Sequence, residues 1–284
     1  MFLKILILAA VQGAAELLPV SSSAHVIIAE KLMGLNPTSP SMTLLLVMLH
    51  TGTMFAVIIY FWKSWKRSFF SSRERFIEAA KYIIIATFFT GVVGLALKYF
   101  IEKYMLRGIP HAQIELIFGN MTLISVSLAA VGIMIIVAGM AKKKPWKIKN
   151  LNMRGSSIIG AVQGLCLPFR GFSRSGATIS AGLLLDMAKD KSEEFSFALA
   201  VVLTPPVVVR EVWRLWKAKE MTSQAGINFT IFYPSLAGMV FSFISGLLAL
   251  AWLSNWLEKG KWQFFGFYCI FASAVVFTLH RMGY

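Results

Sequence analysis

Six stretches of the chain, residues 41–62, 81–101, 114–141, 194–214, 229–252 and 262–281, are apolar over the roughly twenty residues that carry a helix across a bilayer. No water reaches the backbone at that depth, so each must be a helix that satisfies its own N–H and C=O groups. Two further apolar stretches break the rule. Residues 2–18 and 24–35 flank one polar turn, and residues 155–168 and 176–187 flank another. Each arm has roughly ten to fifteen residues, too few to cross. A helix–turn–helix that dips into the bilayer and returns accommodates both pairs, provided protein or a water-filled cavity surrounds the turn.

Charge supports a membrane protein. Only 14% of the 284 residues are charged and 57% are hydrophobic, whereas a soluble domain carries about 25% charge. The net charge of +15 raises the question of nucleic acid. The basic residues instead collect beside apolar runs, where membrane topology and anionic headgroups account for them. No nucleic-acid partner is expected. Cys166 and Cys269 sit in apolar surroundings without the spacing of a disulfide framework or metal site, and read as buried thiols. The N-terminal apolar run lacks a small-x-small cleavage site and is interrupted by Glu16 and Pro19, so it reads as part of the working protein.

Lysine and arginine set the orientation. One basic loop carries Lys63, Lys66, Arg67, Arg73, Arg75 and Lys81; the other carries Lys142, Lys143, Lys144, Lys147, Lys149 and Arg154. Both belong in the cytoplasm by the positive-inside rule, which leaves both termini outside. Arg210, Arg214, Lys217 and Lys219 then face outward against the rule. With one hairpin and three spans in each half, the second half lies upside down relative to the first. The expected fold is an all-α polytopic membrane domain over 1–284, an inverted-topology repeat of halves about 1–145 and 150–284, joined through 142–150. In such repeats the ligand site forms where the two broken segments meet near the midplane.

The two turns read almost alike. Ala10-Val11-Gln12-Gly13, then Glu16, precedes Pro19-Val20-Ser21-Ser22-Ser23-Ala24-His25; Ala161-Val162-Gln163-Gly164, then Pro168, precedes Gly171-Phe172-Ser173-Arg174-Ser175-Gly176-Ala177-Thr178. Gln12 and Glu16 project from one helix face, and a carboxylate at membrane depth is functional by default. Ser21, Ser22 and Ser23 lead into a helix start, where hydroxyls and unpaired amides cradle anions. His25 lies close enough in sequence to reach the hydroxyl of Ser21 or Ser22 across one turn. Arg174 offers a planar fork suited to phosphate oxygens, with Ser173, Ser175 and Thr178 around it and Gly171 and Gly176 easing backbone approach. Arg170 reads as a snorkelling residue. His50 with Gly52, and Thr204-Pro205-Pro206, read as shaping the cavity, with His50 a supporting contact; His111 and His280 look incidental. Together these residues suggest a phosphate-bearing lipid held between two hairpins. Arg174 would stabilise phosphoryl charge, Ser22 or His25 would attack phosphorus, and Glu16 would handle a proton or a divalent ion.

On these residues the chain resembles the undecaprenyl-diphosphatase family, the bacitracin-resistance phosphatases of bacterial inner membranes. The resemblance rests on Gln12-x-x-x-Glu16, on Pro19-Val20-Ser21-Ser22 with His25, and on the run Gly171 to Thr178, echoed by Glu194-Phe195-Ser196-Phe197. It implies hydrolysis of undecaprenyl diphosphate to undecaprenyl phosphate and inorganic phosphate on the periplasmic side, which recycles a carrier of cell-wall synthesis. It further implies catalytic roles for Glu16, Ser22, His25 and Arg174, substrate contacts from Gln12, Ser21, Ser23, Ser173, Ser175 and Thr178, and a divalent cation, magnesium or calcium, near Glu16 with Gln12. The chain departs from the family pattern at Gln12, the less common choice at an acidic position. It departs again at Arg170, where the family usually has proline before the glycine; Pro168 stands two residues earlier, which alters the shape of the second turn and offers a further phosphate contact. The rival reading is a transporter or flippase for a phosphorylated polyprenyl lipid, since inverted repeats serve transport equally. A homodimer is compatible with the small-residue stripe Gly238, Ser242, Ser245 and Gly246, which could equally pack inside the bundle.

Overall fold

The computed structural model describes residues 2–35, 40–107, 114–141, 151–221 and 229–282. Every regular element among them is helical. Two short helices, α1 (Phe2–Leu17) and α2 (Ser22–Leu32), form a pair, followed by the long helices α3 (Pro40–Ser68), α4 (Arg73–Phe100) and α5 (Met121–Met140). A second short pair, α6 (Met153–Cys166) and α7 (Arg174–Leu184), precedes the long helices α8 (Lys189–Met221), α9 (Phe229–Glu258) and α10 (Trp262–Arg281). At 1.5 Å per residue the short helices are only about 16–24 Å long, less than the roughly 30 Å hydrocarbon core. Among the described residues six helices are long and apolar enough to cross, so the protein is a multi-pass membrane protein.

Several boundaries shift for identifiable reasons. The stretch expected to span 114–141 divides: Ile114–Ile117 is a 3-10 turn, and α5 begins at Met121. Asn120 caps it by accepting from the Leu123 amide at 3.0 Å, a polar start that hydropathy alone overlooks. Helix α4 starts at Arg73 behind the Ser72 cap, so Arg73, Arg75 and Lys81 lie on the helix rather than in a loop. Lys63, Lys66 and Arg67 likewise occupy the end of α3. Helix α8 continues through Pro205 and Pro206. The lysine-rich stretch 142–150 and His111 lie outside the described residues, as do the side chains of Arg214, Lys217 and Lys219. His280 sits in the last turn of α10. Both cysteines are free thiols, Cys269 buried and Cys166 half-buried.

Packing in lipid relies on close backbone approach and interhelical hydrogen bonds rather than on a hydrophobic drive. Helices α5 and α10 show both. Ser125 Oγ donates to the Ser273 carbonyl at 3.0 Å and Ser273 Oγ donates to the Ser125 carbonyl at 2.7 Å, while Gly132 and Gly266 face one another. Helix α9 packs on α1 and α3, and α4 packs on α6. The stripe Gly238, Ser242, Ser245 and Gly246 is spent here: Ser242 Oγ donates to the Leu49 carbonyl at 3.1 Å and Ser245 Oγ to the Ala10 carbonyl at 2.9 Å. Gly238 faces Ile5, Leu45 and Leu49, and Gly246 faces Leu17 and Ala56.

Gly160 is pressed against the Ala86 carbonyl, with Thr90 Oγ1 donating to the Gly160 carbonyl at 2.9 Å. A β-carbon there would collide with backbone, which cannot rotate away. Gly160→Val should therefore destabilise the α4–α6 contact by at least about 1–3 kcal/mol, the usual cost of overpacking. The thermal midpoint of the purified protein in detergent checks this, and an unchanged midpoint would contradict the packing described.

The ends of the bundle are distinguishable. Lys191 Nζ reaches Ser68 Oγ at 2.6 Å and Lys189 Nζ reaches the Glu258 carbonyl at 3.0 Å, so the end of α3, the start of α8 and the end of α9 meet at one end. The start of α5, with Phe118 just before it, lies at the other.

Candidate active site

The two turns between the short helices touch. Ser21 Oγ donates to the Arg170 carbonyl at 2.7 Å, and Ser175 Oγ donates to the Leu18 carbonyl at 3.1 Å. Gly176 lies against Pro19, whose carbonyl also accepts from Cys269 Sγ at 3.2 Å. Gly171 is pressed against the Ile124 carbonyl of α5, where any side chain would collide. Ser21 and Ser175, two of the expected substrate contacts, thus bind one turn to the other.

Glu16 is the hub. Its Oε1 accepts from Arg174 Nη2 at 2.7 Å, and its Oε2 accepts from Ser22 Oγ at 2.6 Å and Gln12 Nε2 at 3.2 Å. Both members of the ion pair are largely buried, with side chains 17% and 20% exposed for Glu16 and Arg174. Gln12 Nε2 also donates to His50 Nδ1 at 3.0 Å. An amide nitrogen only donates, so Nδ1 of His50 is an acceptor and the ring is neutral. Its 3.7 Å approach to Glu16 is therefore not an ion pair. His50 supports the carboxylate through Gln12, which is itself buried.

Ser22 is the first residue of α2 and Arg174 the first residue of α7. Two helix starts therefore place their leading side chains on one carboxylate, and their positive dipole ends converge there. The starts differ in capping. Ser173 caps α7 by accepting from the Gly176 amide at 3.3 Å, whereas Ser21 makes no side-chain cap to α2. Ser21 instead adopts φ 67°, a left-handed conformation that costs a non-glycine residue about 1–3 kcal/mol and persists only where its surroundings impose it. Here they do: its hydroxyl is held by the Arg170 carbonyl, and its own carbonyl accepts from His25 Nδ1 at 2.8 Å.

His25 corrects one expectation. Its ring does not meet the hydroxyl of Ser21 or Ser22. Nδ1 donates to the Ser21 carbonyl, and Nε2 accepts from the Tyr268 hydroxyl at 2.6 Å, with the two rings stacked at 5.7 Å. Thr178 Oγ1 donates to the Arg174 carbonyl at 2.8 Å and meets Ser196 Oγ at 2.6 Å, tying α7 to α8. Ser173 and Ser175 lie 3.4 Å apart, both buried. Ser23 accepts from Arg170 Nη1 at 3.4 Å, so Arg170 turns toward the site. Tyr268 and Phe118 escaped notice in the sequence. The one signal for Tyr268 was a polar tip in the middle of an apolar span.

One detail points to a ligand. Arg174 Nη1 is buried and has no hydrogen-bond partner among the described residues. Buried guanidinium donors are nearly always satisfied, so an acceptor belonging to a bound molecule fits beside Nη2, Ser22 and the start of α2.

Fold and site define a multi-pass membrane protein with a buried arginine–carboxylate–serine centre clasped between two short helix pairs. The family described as bacitracin resistance protein BacA matches residues 5–275, and the chain belongs to that family. It is 54% identical over 279 residues to undecaprenyl-diphosphatase 2 of Acinetobacter baylyi, covering 98% of this chain and 97% of that one. It is 31% identical to the undecaprenyl-diphosphatase of Renibacterium salmoninarum (98% and 95% covered) and 28% identical to that of Thermodesulfovibrio yellowstonii (98% and 96%).

Proposed function

We propose that this protein is an undecaprenyl-diphosphate phosphatase, releasing inorganic phosphate and leaving undecaprenyl phosphate. The observation that carries the reading is the orphan Nη1 of Arg174 beside a serine hydrogen-bonded to a carboxylate. Such a set is what phosphoryl transfer asks for: a nucleophile, a base, and fixed positive charge where the oxygens gather.

Ser22 Oγ gives its proton to Glu16 and bonds to the terminal phosphorus. The bond from that phosphorus to the bridging oxygen breaks, and its electron pair leaves on undecaprenyl phosphate. Glu16 passes the proton on to the departing lipid phosphate, then takes one from the water that bonds to the same phosphorus and returns it to Ser22 Oγ as the Ser22 O–P bond breaks. The serine is restored and inorganic phosphate departs. Arg174 holds the phosphoryl oxygens throughout, and Gln12 and His50 keep Glu16 aimed. Ser22 is preferred to His25 because it already donates to the base, whereas His25 is engaged by Ser21 and Tyr268. His25 positions the Ser21 backbone.

Magnesium or calcium would be held here only as a cation shared with substrate. The oxygen donors are the Glu16 carboxylate, the Gln12 amide and the Ser22 hydroxyl; no group of three His, Cys, Asp or Glu gathers among the described residues. Magnesium is commonly held by one or two carboxylates plus substrate phosphates. When bound it would neutralise charge on the phosphate oxygens.

We further infer that α1–α2 and α6–α7 are re-entrant hairpins of two inverted halves, about 1–145 and 150–284. The pairing of α1 with α9 and of α6 with α4, and the self-matched pair α5–α10, support this. The site then opens to the periplasmic face of the inner membrane. Supporting this, Arg170 at the second turn stacks on Phe118, at the end of the bundle away from the cytoplasmic Lys191–Ser68 contact.

The test is direct. Purified protein in detergent should release phosphate from undecaprenyl diphosphate. In reconstituted vesicles, headgroup translocation without phosphate release would overturn the reading in favour of transport.

A further inference from the structure

Arg170 was expected to extend toward lipid headgroups. The structure holds it instead. Its guanidinium lies flat over the Phe118 ring, 4.2 Å from the centroid, and Nη1 reaches Ser23 Oγ at 3.4 Å. Its carbonyl accepts from Ser21 Oγ. Backbone and head are thus both fastened to the serine turn that presents Ser22. The residue is exposed. Two guanidinium groups are therefore tied to this centre, Arg174 buried against Glu16 and Arg170 at its mouth against the serine turn.

A diphosphate has two phosphorus centres, and Arg174 with Ser22 accounts for one. We propose that Arg170 is the clamp for the other, the phosphate esterified to the lipid, which leaves as the monophosphate when the bridging bond breaks. Stacking on Phe118 fixes the guanidinium plane and directs its donor edge, the geometry that suits phosphate oxygens. Charge gathers on that phosphate as the bridging oxygen departs, so the contact tightens during the reaction. The site then measures the length of the headgroup: a diphosphate spans from Arg174 to Arg170, whereas free phosphate reaches only the inner position.

This assignment rests on the phosphatase reading, and the experiment separates the two. Phosphate release from farnesyl diphosphate is measured for the wild type, Arg170→Ala and Arg170→Lys, with farnesyl monophosphate and inorganic phosphate as inhibitors. Arg170→Ala should lower kcat as well as raise KM, and should weaken inhibition by farnesyl monophosphate, the last two by about tenfold or more, the scale of one charge-assisted hydrogen bond. Inhibition by inorganic phosphate should be unchanged, and Arg170→Lys should recover part of these losses. Unaltered KM and monophosphate inhibition in Arg170→Ala would overturn the assignment. So would equal weakening of both inhibitors, which marks a merely structural role in the turn. A wild type that hydrolyses no lipid diphosphate would instead overturn the phosphatase reading beneath it.

Discussion

Arg174→Ala is expected to lower turnover of a polyprenyl diphosphate by at least about a hundredfold, equivalent to about 2.7 kcal/mol of transition-state stabilisation. Two effects combine. The phosphoryl oxygens lose a buried double donor, one arm of which has no protein partner among the described residues. Glu16 also loses its 2.7 Å counter-charge while remaining largely buried. An unpaired buried charge costs about 3–5 kcal/mol, so the carboxylate would take up a proton or pull toward water, and its hold on Ser22 would loosen. The variant should therefore also be less stable. Arg174→Lys keeps the charge but not the fork that spans Glu16 and substrate, and should lie between the two in both rate and thermal midpoint. Glu16→Gln tests the same pair from the other side: it keeps shape and a hydrogen bond to Arg174 but removes the base, so turnover falls while the fold persists. Full turnover in Arg174→Ala that elutes as a single folded species would reject the clamp.

The membrane architecture was legible because lipid leaves so few options. Apolar runs of sufficient length must be helices, and Pro and Gly at hydroxyl-rich turns mark where two short ones break. The convergence of the turns that carry Glu16 and Arg174, 158 positions apart, was also expected, since the broken segments of an inverted repeat meet at the ligand site. Less legible was what each hydroxyl does. In the sequence Ser21, Ser173, Ser175 and Thr178 read as a ring of donors around a ligand; in the fold Ser21, Ser175 and Thr178 bind the two turns and α8 to one another, and Ser173 caps α7. Those bonds depend on which carbonyls the short helices leave unpaired, and helix ends are fixed by packing. The partners of His25 differ from expectation for a similar reason. Spacing placed it near two hydroxyls, but the left-handed backbone at Ser21 swings a carbonyl into reach, and Tyr268 arrives from 243 positions away. The start of α5 was missed because Ile114–Ile117 continues the apolar composition while Gly119 and Asn120 interrupt the helix. Arg170 was legible as a departure from pattern, but its contact with Phe118 needs the tertiary structure.

Ser22→Ala should cost at least about a thousandfold in turnover, on the scale seen when a covalent nucleophile is removed. The substitution deletes one oxygen and one hydrogen bond, that to Glu16, and leaves the Arg174–Glu16 pair and the Ser21 turn intact. Fold and substrate affinity should therefore survive. That separates it from Arg174→Ala, in which stability falls as well. His25→Gln loses the stacked Tyr268 contact and the bond that steadies the Ser21 carbonyl, so it should reduce turnover by a smaller factor through poorer placement of Ser22. The chemistry of the intermediate decides between the two candidates. A phosphoserine survives acid and yields to base, whereas a phosphohistidine does the reverse. Acid quenching during turnover should trap phosphate on the wild type and on His25→Gln, but none on Ser22→Ala. Acid-labile, base-stable phosphate on the wild type, with Ser22→Ala still turning over, would move the nucleophile to His25. The neutral Nε2 that now accepts from Tyr268 would then have to release that bond before it could attack.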